Sequence, residues 1–249
     1  WRLSYSTSAH TPEGRPVDIL HDFYVPALKR AAQYDRVAGY FRSSSLAAAS
    51  QGFSAFVAQG GAARMVVGSD LDPEDVQAIL ASGEDKLASA LNRELARPEQ
   101  WPEGVQRGVE LLAWMLAHGH LEIRVAFRIH AESGEPLVVD SVADGYVHEK
   151  WAVFRDTAGD RLYVTGSFNE SRTALVSNAE NIDVHRDWTS EENRRRADQA
   201  EARFERIWNN ENPSLRVLTL PEAVRQRLIK IAEQTGRPLE IDGSSEVPL

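Results

Sequence analysis

The apolar positions of this 249-residue chain change period several times, and each change marks an element. From Pro16, the residues Val17, Leu20, Tyr24, Leu28 and Ala31 recur at helical spacing, with a break at Pro26. RVAGYF (36–41) is short and apolar, as a buried strand would be, and LAAASQGFSAFVAQ returns to helical spacing until Gly60-Gly61 closes it. ARMVVGS is a second strand, so strand, helix and strand form a right-handed βαβ unit. Asp72 and Pro73 have the layout of an N-cap and first helical residue for DLDPEDVQAIL.

The same reading continues along the chain. VQRGVELLAWMLAHG predicts a helix with Val109, Leu112, Ala113 and Leu116 inward, and LEIRVAFRI predicts a strand with Leu121, Ile123, Val125 and Phe127 on one face. YVHEKWAVF and RLYVTGS are joined by a turn containing Asp156, Gly159 and Asp160, which predicts a hairpin, and AENIDV is a further strand. Thr189 and Glu192 have the spacing of a capping box before a helix whose stripe is Ala197, Ala200, Phe204, Ile207 and Trp208. LRVLTL is a last strand, and the segment from Pro221 to Gly236 a last helix. The expected fold class is α/β: a mixed, largely parallel β-sheet with helices on both sides, in a single domain over 16–236. Residues 1–15 lack periodicity and are expected to be an N-terminal arm or an edge strand.

Composition narrows the function classes. There is no cysteine, which excludes disulfides, iron–sulfur clusters and thiolate zinc sites. The formal net charge of −9 argues against a nucleic-acid partner unless basic residues cluster locally. No apolar run approaches the roughly 20 residues that span a bilayer, and the first 30 residues lack a signal-peptide layout, so a cytoplasmic protein is expected. The first residue is Trp, and 237–249 lose all pattern; they are expected to be a linker from a fragment to a missing C-terminal region.

Candidate chemistry concentrates between Tyr146 and Val184. The strand period puts His148 and Lys150 on one face and Glu149 on the other. The returning strand of the hairpin would bring Ser167 and Asn169 beside them, and Asn169-Glu170-Ser171 opens a short helix whose free N–H groups favour an anion. An imidazole, a cation, neutral donors and a helix start suit a phosphate. Other candidates have plainer readings. His118 and His120 suit a helix C-terminus, His185 an exposed strand end, and Arg194, Arg195 and Arg196 a solvated helix face. The triplet His148-Glu149-Lys150 does not continue into H-E-x-x-H, because position 152 is Ala.

These residues resemble the H-x-K…G-S-x-N motif of the phospholipase D superfamily: His148-Glu149-Lys150, Gly166-Ser167-Phe168-Asn169, then Asn178-Ala179-Glu180-Asn181. The spacing is similar to the small single-motif bacterial nucleases of that superfamily. GSFNES and FERIWNNEN resemble a subgroup found ahead of superfamily-2 helicase domains, often in phage-defence settings. The resemblance implies a metal-independent phosphodiesterase without a cofactor, most simply a DNA endonuclease. His148 would be the nucleophile, Lys150 and Asn169 would stabilise phosphoryl oxygens with help from Ser167, and Glu180 would orient the imidazole. With one motif per chain, a homodimer would share the site, each copy supplying a His148. The motif's Asp, five residues after Lys, is here Arg155, with Asp156 one place later as its candidate stand-in. Arg42, Ser43, Ser171 and Arg172 are weaker substrate-binding candidates, and Arg128 a further cation for a groove. The alternatives are a catalytically silent module binding nucleic acid or a partner, and a phospholipid hydrolase. No membrane-binding face is visible in the pattern.

Overall fold

A computed structural model of the chain describes residues 1–39, 52–68, 103–134, 149–167 and 180–235. The strands in chain order are β1 (Ser4–Ser6), β2 (Ala31–Ala38), β3 (Ala62–Gly68), β4 (Leu121–Arg128), β5 (Trp151–Asp156), β6 (Arg161–Gly166), β7 (Asn181–Arg186) and β8 (Leu215–Thr219). They form one eight-stranded sheet in the order β1-β7-β6-β5-β2-β3-β4-β8. The described helices are α1 (Val25–Leu28), continuing a π-helical turn at Leu20–Tyr24, then α2 (Phe53–Ala58), α3 (Glu103–Ala117), α4 (Glu191–Trp208) and α5 (Glu222–Thr235).

The sheet is mixed and flanked by helices on both sides, as the periodicity predicts. Its directions differ from the expectation of largely parallel pairing. Among the described strands, only β2 with β3 and β3 with β4 run parallel. The pairs β1–β7, β7–β6, β6–β5, β5–β2 and β4–β8 are antiparallel. For β5 and β6 the physical reason is the connection length: they are joined by a tight turn, and a turn that short can join only antiparallel strands.

Strand alternation sorts the core into two layers. On one face Tyr34, Met65, Val67, Ile123, Val125, Phe154 and Val164 pack with residues of α1, α2, α3 and α5. On the other, Val37, Val66, Ala126, Trp151, Val153 and Val217 pack under Ala200, Phe204, Ile207 and Trp208 of α4. Leu121, Ile123, Val125 and Phe127 do share a face, and the predicted α4 stripe is buried throughout. Arg124 lies 4.0 Å from the Trp208 ring centroid and Arg64 4.8 Å from that of Phe204, so cationic side chains cover the aromatic end of α4.

Local boundaries carry several corrections. The helix expected through Ala31 stops at Leu28, because Ala31 and Gln33 pair with β5 as the start of β2. The N-cap of α4 is Ser190, which accepts from the Asn193 N–H at 3.1 Å, while Thr189 ends a 3-10 turn. The N-terminal segment is an edge strand: β1 pairs with β7, matching Tyr5 to Ile182. The expected cap at Asp72 and Pro73 lies outside the described residues. Among the described residues, no helix is long and apolar enough to cross a membrane.

Candidate active site

The sheet directions collect the relevant strand ends at one edge. Parallel β2, β3 and β4 finish there at Ala38, Gly68 and Arg128; because β5, β6 and β7 alternate in direction, β5 starts there, β6 finishes there and β7 starts there. Lys150, Ser167 and Glu180 each stand immediately next to one of these ends.

Lys150 immediately precedes β5. Its neighbour Glu149 accepts hydrogen bonds from Trp151 Nε1 at 3.0 Å and from Arg203 of α4, so Glu149 serves the α4 face. Alternation then gives Lys150 the opposite face, with Ala152 and Phe154. Lys150 is only 8 % exposed. Burial lowers its affinity for a proton, the positive charge of Arg36 lowers it further, and Glu180 acts in the opposite direction.

Ser167 follows β6, and its position depends on Gly166. A Cβ at Gly166 would lie 2.9 Å from Ile182 Cα and 3.1 Å from the Asn181 carbonyl carbon, and closer still to the Asn181 oxygen. Glycine lets the ends of β6 and β7 meet, and Gly166 N–H donates to Lys150 O at 3.3 Å on its other side. Ser167 N–H donates to Asn181 O at 3.2 Å, and Ser167 Oγ accepts from Asn181 N–H at 3.2 Å. The Ser167 hydroxyl proton goes to the Glu180 carboxylate. The Ser167 hydroxyl thus holds the Glu180 carboxylate at the edge where β6 ends and β7 begins.

Glu180 is 9 % exposed, and its backbone is clamped by the N-terminal segment. Thr7 N–H donates to Glu180 O at 2.9 Å, and Thr7 Oγ1 accepts from Glu180 N–H at 2.9 Å. The segment expected to be an arm therefore fixes an acid of the motif. Nothing in the irregular composition of residues 1–15 signals this contact, apart from the single edge-strand alternative.

Arg36 is the other residue that sequence reasoning missed. It sits in β2 with 2 % exposure, opposite Ala152 of β5. Within DRVAGYF it has the look of the polar boundary of a buried strand, so its place inside the sheet is visible only once the register is known.

Several expectations are settled at the opposite end of β5. Arg155 points to the α4 side and pairs with Glu201. Asp156 accepts from the N–H groups of Ala158 and Asp160 at 2.9 and 3.0 Å, closing the β5–β6 turn. Asp156 stands six residues, roughly 20 Å of strand, from Lys150. His118 stacks on Trp114 with centroids 4.1 Å apart, and His185 stacks on Tyr163. Arg194, Arg195 and Arg196 form ion pairs with Glu191 and Glu192 along an exposed helix face. His148, Asn169, Arg42, Ser43, Ser171 and Arg172 lie outside the described residues.

No protein-family model matches the chain, and no curated protein sequence matches it. Among solved structures it is similar to NucT from Helicobacter pylori, at 10 % identity and TM-score 0.42 over 83 % of this chain and 96 % of that one. It is also similar to Nuc from Salmonella typhimurium, described as a phospholipase D family member, at 16 % identity and TM-score 0.37 over 83 % and 92 % of the two chains. A third similar structure is phosphatidylserine synthase from Haemophilus influenzae Rd KW20, at 15 % identity and TM-score 0.43, over 95 % of this chain and 47 % of that one.

Proposed function

We propose that the chain is a phospholipase D-like phosphodiesterase that cleaves DNA without a metal ion. The observation carrying this reading is the convergence of Lys150 and Ser167, from different strand ends, on the buried Glu180 carboxylate at one sheet edge. Lys150 and Ser167 belong to the H-x-K and G-S-x-N motif, and Glu180 to the adjoining Asn178-Ala179-Glu180 segment.

His148, two residues before Lys150, attacks phosphorus, forming a phosphohistidine while the P–O bond to the leaving oxygen breaks. A second, protonated His148 from a twofold-related copy gives its proton to that oxygen, and then activates the water that releases the phosphate. Lys150 and Asn169 stabilise the charge on the non-bridging oxygens. Glu180, held by Ser167 and Thr7, fixes the imidazole tautomer. The fuller context is a nuclease module joined to a helicase that supplies affinity for DNA, as in a DNA-processing or phage-defence protein. Such a partner offsets the net charge of −9.

Purified protein incubated with DNA in EDTA tests this directly. Cleavage that His148→Ala abolishes is the expected result. Intact DNA alongside cleaved phosphatidylcholine would establish the lipid reading instead, and DNA binding with no cleavage would establish a silent module. A species that stays monomeric in light scattering while it cleaves would overturn the shared site.

A further inference from the structure

We propose that Arg36 is a positioning residue of this site: a permanent guanidinium charge set into β2 beside Lys150 that fixes the Lys150 ammonium group and adds its field to the binding of a phosphodiester. The inference rests on the phosphodiesterase reading for its ligand, and on the fold alone for its geometry.

The register supplies the geometry. Arg36 faces Ala152 across the antiparallel β2–β5 pair, and Lys150 lies two residues from Ala152 on the same sheet face. That makes Arg36 and Lys150 diagonal neighbours, roughly 7–8 Å apart at Cβ and within reach of long side chains. The residues between them are small. Ala152 has only a methyl group, Ala38 continues the register opposite Lys150, and Gly166 on the other flank of Lys150 has no side chain.

Taking a guanidinium out of water costs several kcal/mol even after relaxation, and an aliphatic side chain would fill the same place in a central strand. Arg64 forms ion pairs with Asp35 and Glu205, and Arg161 with Asp187, Asp198 and Glu201, all toward the α4 side. Arg36 alternates to the opposite face, where its charge acts on Lys150.

Arg36 approaches from β2 and Glu180 from the start of β7, with the Ser167 hydroxyl between Glu180 and β6. After burial itself, Arg36 is the main cause of the weakened hold of Lys150 on its proton. An ammonium group in that state is a stronger hydrogen-bond donor to a phosphoryl oxygen.

The experiment compares the full chain with Arg36→Met, Arg36→Gln and Arg36→Lys. Only four lysines are present (Lys29, Lys86, Lys150 and Lys230), so the Lys150 side-chain resonance can be followed through a pH titration by NMR. Its midpoint should move up toward the ordinary lysine value in Arg36→Met and Arg36→Gln and stay low in Arg36→Lys. Inorganic phosphate, titrated calorimetrically, should bind about tenfold more weakly to the neutral variants and with near wild-type affinity to Arg36→Lys. On DNA, the alkaline limb of the cleavage profile should follow the Lys150 midpoint, which a purely structural role would leave in place.

An unchanged Lys150 midpoint in a folded neutral variant overturns the inference. So does a folded Arg36→Lys whose Lys150 titrates like an ordinary lysine, which keeps the test open should the neutral variants misfold. Wild-type protein that leaves DNA intact while phosphate affinity and Lys150 titration respond as stated would sink the DNase reading and leave the role of Arg36 standing.

Discussion

Gly166→Ala tests the joint between fold and site. The added Cβ would come 2.9 Å from Ile182 Cα and within the van der Waals sphere of the Asn181 oxygen, both backbone atoms of the neighbouring strand. Neither can yield by a rotamer change, so β6 and β7 must separate by about an ångström to restore ordinary contact. Overpacking of that kind costs about 1–3 kcal/mol. Separation also weakens the two hydrogen bonds between Ser167 and Asn181, each 3.2 Å, at about 1 kcal/mol apiece. The expected loss is therefore about 3–5 kcal/mol, read from urea denaturation. Gly159→Ala is the control: its φ of +93° strains an alanine, but its surroundings are open, so it should lose only about 1–2 kcal/mol. Cleavage should fall about a hundredfold in Gly166→Ala, since Ser167 and Glu180 move with the strand ends. A Gly166→Ala protein no less stable than Gly159→Ala, and fully active, would refute the close approach and the site built upon it.

Four further outcomes follow from the same contacts. Thr7→Val removes the acceptor of the Glu180 N–H and should cost about 1–2 kcal/mol and slow cleavage, with Thr7→Ser restoring both; equal rates in Thr7→Val and wild type would detach β1 from the site. Ser167→Ala leaves the Glu180 carboxylate and the Asn181 N–H without their shared partner, and should lower kcat about ten- to a hundredfold with KM nearly unchanged; an effect on KM alone would instead give Ser167 a substrate contact. Lys150 binds its proton less tightly when folded than when unfolded, so wild-type stability should rise with pH relative to Lys150→Met in the window below the ordinary lysine value of about 10.4, and a falling difference would contradict the sign. Arg155→Asp restores the residue type of the motif but places a carboxylate against Glu201, so it should lower the melting temperature without raising activity; a gain in cleavage would contradict the geometry.

The sequence is legible where one period governs a whole element. LEIRVAFR alternates and forms a strand with its predicted face inward, and the α4 stripe from Ala197 to Trp208 is buried as its spacing requires. The hairpin of β5 and β6 is equally legible from Asp156, Gly159 and Asp160. Non-local pairing is not written in any local pattern. The other four antiparallel pairs, the docking of β1 on β7 among them, and the placing of Arg36 beside Lys150 depend on which strands become neighbours. The α4 cap moved by one residue because Thr189 and Ser190 are both competent N-caps, and the 3-10 turn used the first. Motif spacing identified Lys150, Ser167 and Glu180, but it could not say that the Ser167 hydroxyl spends its proton on Glu180.

Alternation along β5 explains why an arginine is tolerated where the motif has an acid. Lys150, Ala152 and Phe154 belong to one face; Trp151, Val153 and Arg155 belong to the other, where Trp151 and Val153 pack with α4 and Arg155 pairs with Glu201 on it. A residue five places from Lys150 has the opposite parity and stands roughly 17 Å along the strand, so from a regular β5 it cannot reach the Lys150 end whatever its charge. Position 155 is governed by the carboxylates of α4, and Glu201 already supplies one acid there, hydrogen-bonded to both Arg155 and Arg161. A second acid at 155 would repel Glu201, whereas an arginine links the strand to the helix. The departure from the motif is thus a matter of how α4 is fastened to the sheet. The charge balance at the opposite end, among Arg36, Lys150 and Glu180, is set independently of it.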